Sequence, residues 1–120
     1  IADWTYRFFA KQGHGHFVAV TSLAGLFGYH MAPAYHAAKS YQINYLEALR
    51  QKANKAKLPI TIPEIRPGFV ETAMTADKKG FWKCSVNKAA RQIFRYSRHK
   101  RSIGYISRRW ILAAKVIAIM

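Results

Sequence analysis

The order of segments in this chain of 120 residues predicts an α/β fold, a parallel sheet covered by helices on both faces. Three observations carry that prediction. Helix-like and strand-like stretches alternate from one end to the other, which implies parallel strands joined by right-handed crossovers. Residues 17–20 are apolar without alternation, as strands buried on both faces are. Half of the residues are apolar, 51%, which is enough for a single core, and nothing repeats internally.

Residues 2–11 place Trp4, Phe8 and Phe9 among polar positions, so they form an amphipathic helix that Gly13 stops. "HFVAVTS" is then one short buried strand, and "LAGLFGYHMAP" a loop. Residues 33–57 contain no glycine and no proline after Pro33, which suits a first helical turn, and helix formers dominate. Ala34, Ala37, Ala38, Tyr41, Ile43, Tyr45, Leu46, Ala48 and Leu49 lie nearly all round that helix, predicting burial on more than one side. "LPITIPEIRPG" is the next strand, with Pro63 its weak point because proline cannot donate to a ladder. A loop over 69–84 leads to a helix capped by Ser85 and carrying Val86, Ala89, Ala90, Ile93 and Phe94. "SIGYIS" is a third strand and "RRWILAAKVIAIM" the last helix. The three strands end near Ser22, Ile65 and Ser107.

Charge and composition open other functional classes. A formal charge of +15, with seven of fifteen residues Arg, Lys or His in "RYSRHKRSIGYISRR", is compatible with a nucleic-acid-binding module. No reading motif accompanies the run, so no nucleic-acid partner is expected. Trp110 to Met120 is too short to cross a bilayer, which takes about 20 residues. An interfacial membrane contact behind Arg108 and Arg109 is therefore a third reading, less favoured than a core-covering helix. The lone Cys84 suits a reducing, cytoplasmic compartment and reads as an inert small side chain. His14 and His16 read as a solvated turn without a metal, and His36 as a helix-surface residue. Ile1 opens within a helix-like stretch that has no signal-peptide arrangement.

Chemistry gathers at the carboxyl ends of strands in open parallel sheets. Ser22 lies at such an end, Tyr35 opens the following helix, and Lys39 is stacked one turn further on the same face. Tyr-x-x-x-Lys alone carries little information, because 7 Tyr and 11 Lys in 120 positions give about 0.6 such pairs by chance. The chain contains its own control in Tyr96 and Lys100, within a charge run that reads as a solvated helix end. Only Tyr35 has a serine thirteen residues upstream and a strand ending in "RPGFVETAM" downstream.

The joint set of Ser22, Tyr35, Lys39 and Pro67-Gly68-x-Val70-x-Thr72 resembles the second half of a short-chain dehydrogenase/reductase. The resemblance implies a Rossmann-like sheet and hydride transfer between NAD or NADP and a small carbonyl or alcohol substrate. Tyr35 would be the general acid/base, Ser22 would hold the substrate oxygen, and Lys39 would bind the nicotinamide ribose and favour the phenolate. Val70 backbone groups would meet the nicotinamide carboxamide, Thr72 would lie by the carboxamide and pyrophosphate, and Pro67 and Gly68 would also be cofactor-binding. Tyr29, His30 and Met31 would line a substrate pocket, with Phe81 and Trp82 in a covering segment. The long helix would pair across a two-fold axis in a homodimer or homotetramer.

The physics of those roles stands by itself. A phenol that titrates near 10 is a weak base at neutral pH, and an ammonium at about 4 Å contributes about 4 kcal/mol toward its ionised form at an effective dielectric of about 20. A serine hydroxyl can donate to a developing alkoxide.

The family's glycine-rich turn, Asn-Asn-Ala-Gly segment and helix asparagine have no counterpart here. Residues 1–120 are therefore expected to be the carboxyl-terminal part of one NAD(P)-binding domain, holding its last three strands and inactive alone. An apolar strand edge would then need cover.

Overall fold

The computed structural model of the chain describes residues 1–71, 82–99 and 103–119. Helix α1 (Ala2–Gln12) is followed by strands β1 (Gly15–His16) and β2 (Ala19–Val20), a 3₁₀ turn (Leu23–Leu26) and helix α2 (Pro33–Lys55). Strands β3 (Ile60–Thr61) and β4 (Glu64–Pro67), helix α3 (Val86–Arg98), strand β5 (Ile103–Ile106) and helix α4 (Trp110–Ile119) complete the order. All pairings are parallel, β1 with β3 and β2–β4–β5 as three neighbours. The expected α/β alternation and parallel sheet are present.

Each of the first two expected strands is split into two short pieces, and Pro63 explains both breaks. Gly15 faces Ile60 and Ala19 faces Glu64, so one offset of 45 residues runs through both halves (60 − 15 = 64 − 19 = 45). Amides of Gly15, Phe17, Ala19 and Thr21 donate in turn to the carbonyls of Pro59, Thr61, Pro63 and Ile65 at 2.8–3.1 Å. Pro63 has no N–H with which to return a bond to the Phe17 carbonyl, so the ladder lapses at that point.

The two faces of the sheet bury different clusters, following the period-two alternation of strand side chains. On one face α1 and α2 bring Tyr6, Leu46, Leu49 and Ala53 against Ile60 and Ile62, with Phe17 and Ala19 at the margin. On the other, α3 brings Ala89 and Ile93 against Ile65, Cys84 and Ile106. Pro33 occupies the first turn of α2 as expected, and Gly13 closes α1 in the left-handed conformation, φ 88°.

Several expectations are corrected here. The loop after β2 contains the 3₁₀ turn, because the Ser22 side chain caps it. Val20 is 52% exposed, not buried on both faces, since the α3 cluster reaches Val18 and stops short of it. Helix α2 buries a single stripe of His36, Leu46, Leu49 and Ala53, leaving Ala34, Ala37, Tyr41 and Ala48 on the outside. Ser85 holds the N-cap position of α3 without a side-chain capping bond. Cys84 is buried and unpaired, in keeping with an inert side chain. Among the described residues, no helix is long and apolar enough to cross a membrane.

Candidate active site

The carboxyl ends of β2 and β4 stand side by side. Val20 faces Ile65, and continuing the same offset brings Ser22 level with Pro67. Ser22 keeps the extended backbone of the strand, φ −166° and ψ 155°, and its Oγ accepts the Ala24 amide at 3.1 Å. That bond uses a lone pair and leaves the hydroxyl proton available. Serine is thus both a cap and a potential donor, two roles that do not compete.

Gly25 fixes the 3₁₀ turn to α2. A Cβ at that position would lie 2.7 Å from the carbonyl carbon and oxygen of Lys39, a separation that real side chains do not reach. Only glycine permits this approach, so the turn that starts at Ser22 rests on the turn of α2 that carries Lys39. Lys39 Nζ lies 5.8 Å from the centroid of the Tyr35 ring, on the shared face that the i, i+4 spacing predicts. No carboxylate pairs with Lys39 among the described residues. The phenol is 47% exposed in this chain, at the open side of the turn.

His36 corrects the expectation of a surface residue. It is 8% exposed, and its Nδ1 lies 2.7 Å from the Phe27 carbonyl. A carbonyl only accepts, so Nδ1 carries the proton and donates. The Phe27 and Tyr29 rings flank the imidazole at 4.8 and 5.6 Å, tying the loop to the first turn of α2 just beside Tyr35. Tyr29 packs on His30 at 5.0 Å and on the His36 ring, which in turn meets the Tyr35 ring at 6.1 Å, while Met31 is 72% exposed.

On the neighbouring strand, the Gly68 amide donates to the Ile106 carbonyl at 2.6 Å, and the Trp110 indole covers the glycine. Phe69 and Trp82 flank that indole at 6.2 and 5.4 Å. Trp82 therefore has a packing role on Trp110. Val70 and Cys84 form an isolated parallel bridge, fastened by Cys84 N to Phe69 O and Glu71 N to Cys84 O, each 2.9 Å. Thr72 and Phe81 lie outside the described residues.

The sequence reading missed a buried ionic cluster behind the site. Glu64 is wholly buried and Arg66 nearly so, on β4, and both contact residues of neighbouring elements. Burial by itself would lower the Arg66 pKa, but the hydrogen bonds and charge of Glu64 outweigh it and raise the value. The available signal was Glu and Arg two apart within an apolar strand, a pattern that puts both charges on one face.

Other candidates resolve as structure. His16 lies on β1 opposite Thr61 and not in the expected solvated turn, its Nδ1 2.6 Å from Thr61 Oγ1, and His14 meets Gln12. Tyr96 is half-buried and packs on Gly104, not solvated as its charged context suggested.

Comparison with known proteins identifies the family. A family model described as short chain dehydrogenase matches residues 2–81. The chain belongs to that family. It is 39% identical over 63 residues to the "Putative oxidoreductase SadH" of Mycobacterium tuberculosis, a match that spans 52% of this chain and 23% of that protein. A Myxococcus xanthus protein described as "Uncharacterized oxidoreductase" is 39% identical over 66 residues, spanning 55% and 25%. The fold aligns with a short chain dehydrogenase from Burkholderia cenocepacia J2315, solved in complex with NADP, at a TM-score of 0.73 and 19% identity. That alignment covers 95% of this chain and 48% of the other, and it supports the Rossmann-like assignment. The chain thus spans about a quarter of the curated relatives it matches.

Proposed function

We propose that the protein carrying this chain is an oxidoreductase that transfers hydride between NAD or NADP and a small carbonyl or alcohol substrate. One observation carries the reading: Gly25 locks the Ser22 turn onto α2 beside Lys39, while the sheet register sets Ser22 level with Pro67. The residues fit a nicotinamide cofactor, since the Ser22 proton and the Lys39 ammonium are available as donors at the carboxyl ends of parallel strands. The bound cofactor would supply the hydride.

In this reading Tyr35 transfers the proton to or from the substrate oxygen. Ser22 donates to that oxygen and holds it, and the Lys39 N–H groups bind the ribose. Pro67, Gly68, Val70 and Thr72 hold the nicotinamide side, and Tyr29, His30 and Met31 with Phe81 and Trp82 border the substrate. The domain that includes residues 1–120 works in the cytoplasm as a homodimer or homotetramer. Support for self-association comes from exposed aromatic side chains, Trp4 stacked on Phe8 along α1 at 5.6 Å and Tyr41 on α2.

The test uses the full-length protein, a panel of carbonyl substrates, and NADH or NADPH. Tyr35→Phe should lower turnover by about 10² to 10⁴ while cofactor affinity stays within about threefold. Turnover within tenfold of the parent would refute Tyr35 as the acid/base.

A further inference from the structure

Three of the segments that carry candidate site residues meet at one carboxylate. Glu64 Oε1 accepts from Thr21 Oγ1 at 2.8 Å and from Arg66 Nε at 2.7 Å. Glu64 Oε2 accepts from Arg66 Nη2 at 3.1 Å and from Arg50 Nη2 at 3.2 Å. Thr21 directly precedes Ser22, Arg66 directly precedes Pro67, and Arg50 lies on α2 eleven residues beyond Lys39. Arg66 Nη1 reaches on to the Tyr105 hydroxyl of β5 at 3.3 Å, and Arg50 Nη1 donates to the Ile62 carbonyl at 3.0 Å. Arg50 also pairs with Glu47 at 2.9 Å, so two carboxylates balance two guanidiniums.

Such a cluster is a poor device for stability alone, because desolvation of the charges offsets most of their attraction and apolar residues of the same volume serve equally well. Direction is what it adds. Apolar side chains tolerate small slides of one element past another, whereas four hydrogen bonds on one carboxylate fix the height and rotation of β2, β4 and α2 together. Catalysis is sensitive at that scale, since a misplacement of about 1 Å can cost about 10²-fold in rate.

We propose that Glu64 is a positioning residue which, through Thr21, Arg66 and Arg50, sets Ser22 at its working height against Tyr35, Lys39 and Pro67. The inference rests on the oxidoreductase reading for its kinetic consequence and on the hydrogen bonds alone for its structural one.

The experiment compares Thr21→Val, which keeps the volume and removes the donor, with Thr21→Ser, which keeps the donor, and with Ile62→Val, which trims the adjacent apolar cluster. All are made in the full-length protein. Thr21→Val should lower kcat about 10- to 100-fold with KM within about twofold. Thr21→Ser should recover kcat to within about threefold, and Ile62→Val should leave it within about twofold despite a lower melting temperature. Amide hydrogen exchange is read in parallel at Ala24 and Gly25, which bond to Ser22 Oγ and O at 3.1 and 3.2 Å. Exchange at both should quicken in Thr21→Val and not in Ile62→Val. An active parent with kcat unchanged in Thr21→Val overturns the positioning role. A parent that turns over no carbonyl or alcohol with either cofactor overturns the oxidoreductase reading instead, and exchange at Ala24 and Gly25 then decides the positioning role by itself. If Thr21→Val fails to fold, Tyr105→Phe takes its place, with about a threefold fall in kcat expected and an unchanged kcat contradicting the role.

Discussion

Tyr35 and Tyr96 share one local pattern, a tyrosine four residues before a lysine, and the fold treats them oppositely. Tyr35 stands half-exposed at the start of α2, with Lys39 Nζ 5.8 Å from its ring and the turn from Ser22 seated against the same helix. Tyr96 turns inward on α3, where its ring lies so close to Gly104 that a Cβ there would sit 2.6 Å away, and it joins the cluster of Ile65 and Ile106. Lys100 lies outside the described residues. The difference comes from neighbours remote in sequence. A spacing places two side chains on one face, and the glycine that faces them decides whether a second element brings chemistry or merely fills space.

The largest expected contrast is between Tyr35→Phe, a loss of about 10² to 10⁴ in turnover, and Tyr96→Phe, a change of less than about threefold. Equal losses would erase the distinction. Next, Lys39→Ala should weaken cofactor binding, since the proposed charged donor to the ribose is gone, and cofactor titration checks it. A third pair sharpens the comparison structurally. Gly25→Ala and Gly104→Ala each force a Cβ into an occupied place, and each should cost about 1–3 kcal/mol by denaturant unfolding, but only Gly25→Ala should lower kcat.

The smallest effect concerns pH. The Glu47 carboxyl is held below its ordinary value of 4.5 by the Gln51 hydrogen bond and then by Arg50. A carboxyl whose folded value is depressed stabilises the fold above its unfolded value and loses that contribution as pH falls through the folded one. Its side chain is 50% exposed, so screening keeps the effect slight. Melting temperatures of Glu47→Gln should fall slightly below those of the parent at pH 6 and converge with them as pH falls through the depressed folded value.

Much of this was legible in the residues. Alternation of apolar period announced the parallel sheet, Pro33 marked the start of α2, and Pro63 signalled the lapse in the ladder. Ser22, Tyr35 and Lys39 fell on a strand end and one helix face as their spacing required. What escaped depended on tertiary partners. His36 looked like a surface residue because nothing local shows that Phe27 will present a carbonyl to it. Val20 looked buried because apolar sequence states a need for cover without naming what supplies it. Glu64 and Arg66 were passed over since the Glu64 partners Thr21 and Arg50 lie 43 and 14 positions away in the chain. Gly25 was one loop glycine among several until α2 closed on it.

In the proposed mechanism Ser22, Tyr35 and Lys39 act on one substrate oxygen and one cofactor. Its most direct test is a crystal structure of the full-length protein with NADP and a non-reacting carbonyl analogue. The account predicts both the Ser22 and Tyr35 hydroxyls within about 2.6–3.2 Å of the analogue's oxygen, with Lys39 Nζ on the nicotinamide ribose. Hydroxyls of Ser22 and Tyr35 directed to opposite faces of the sheet, or a ribose beyond reach of Lys39, would contradict it.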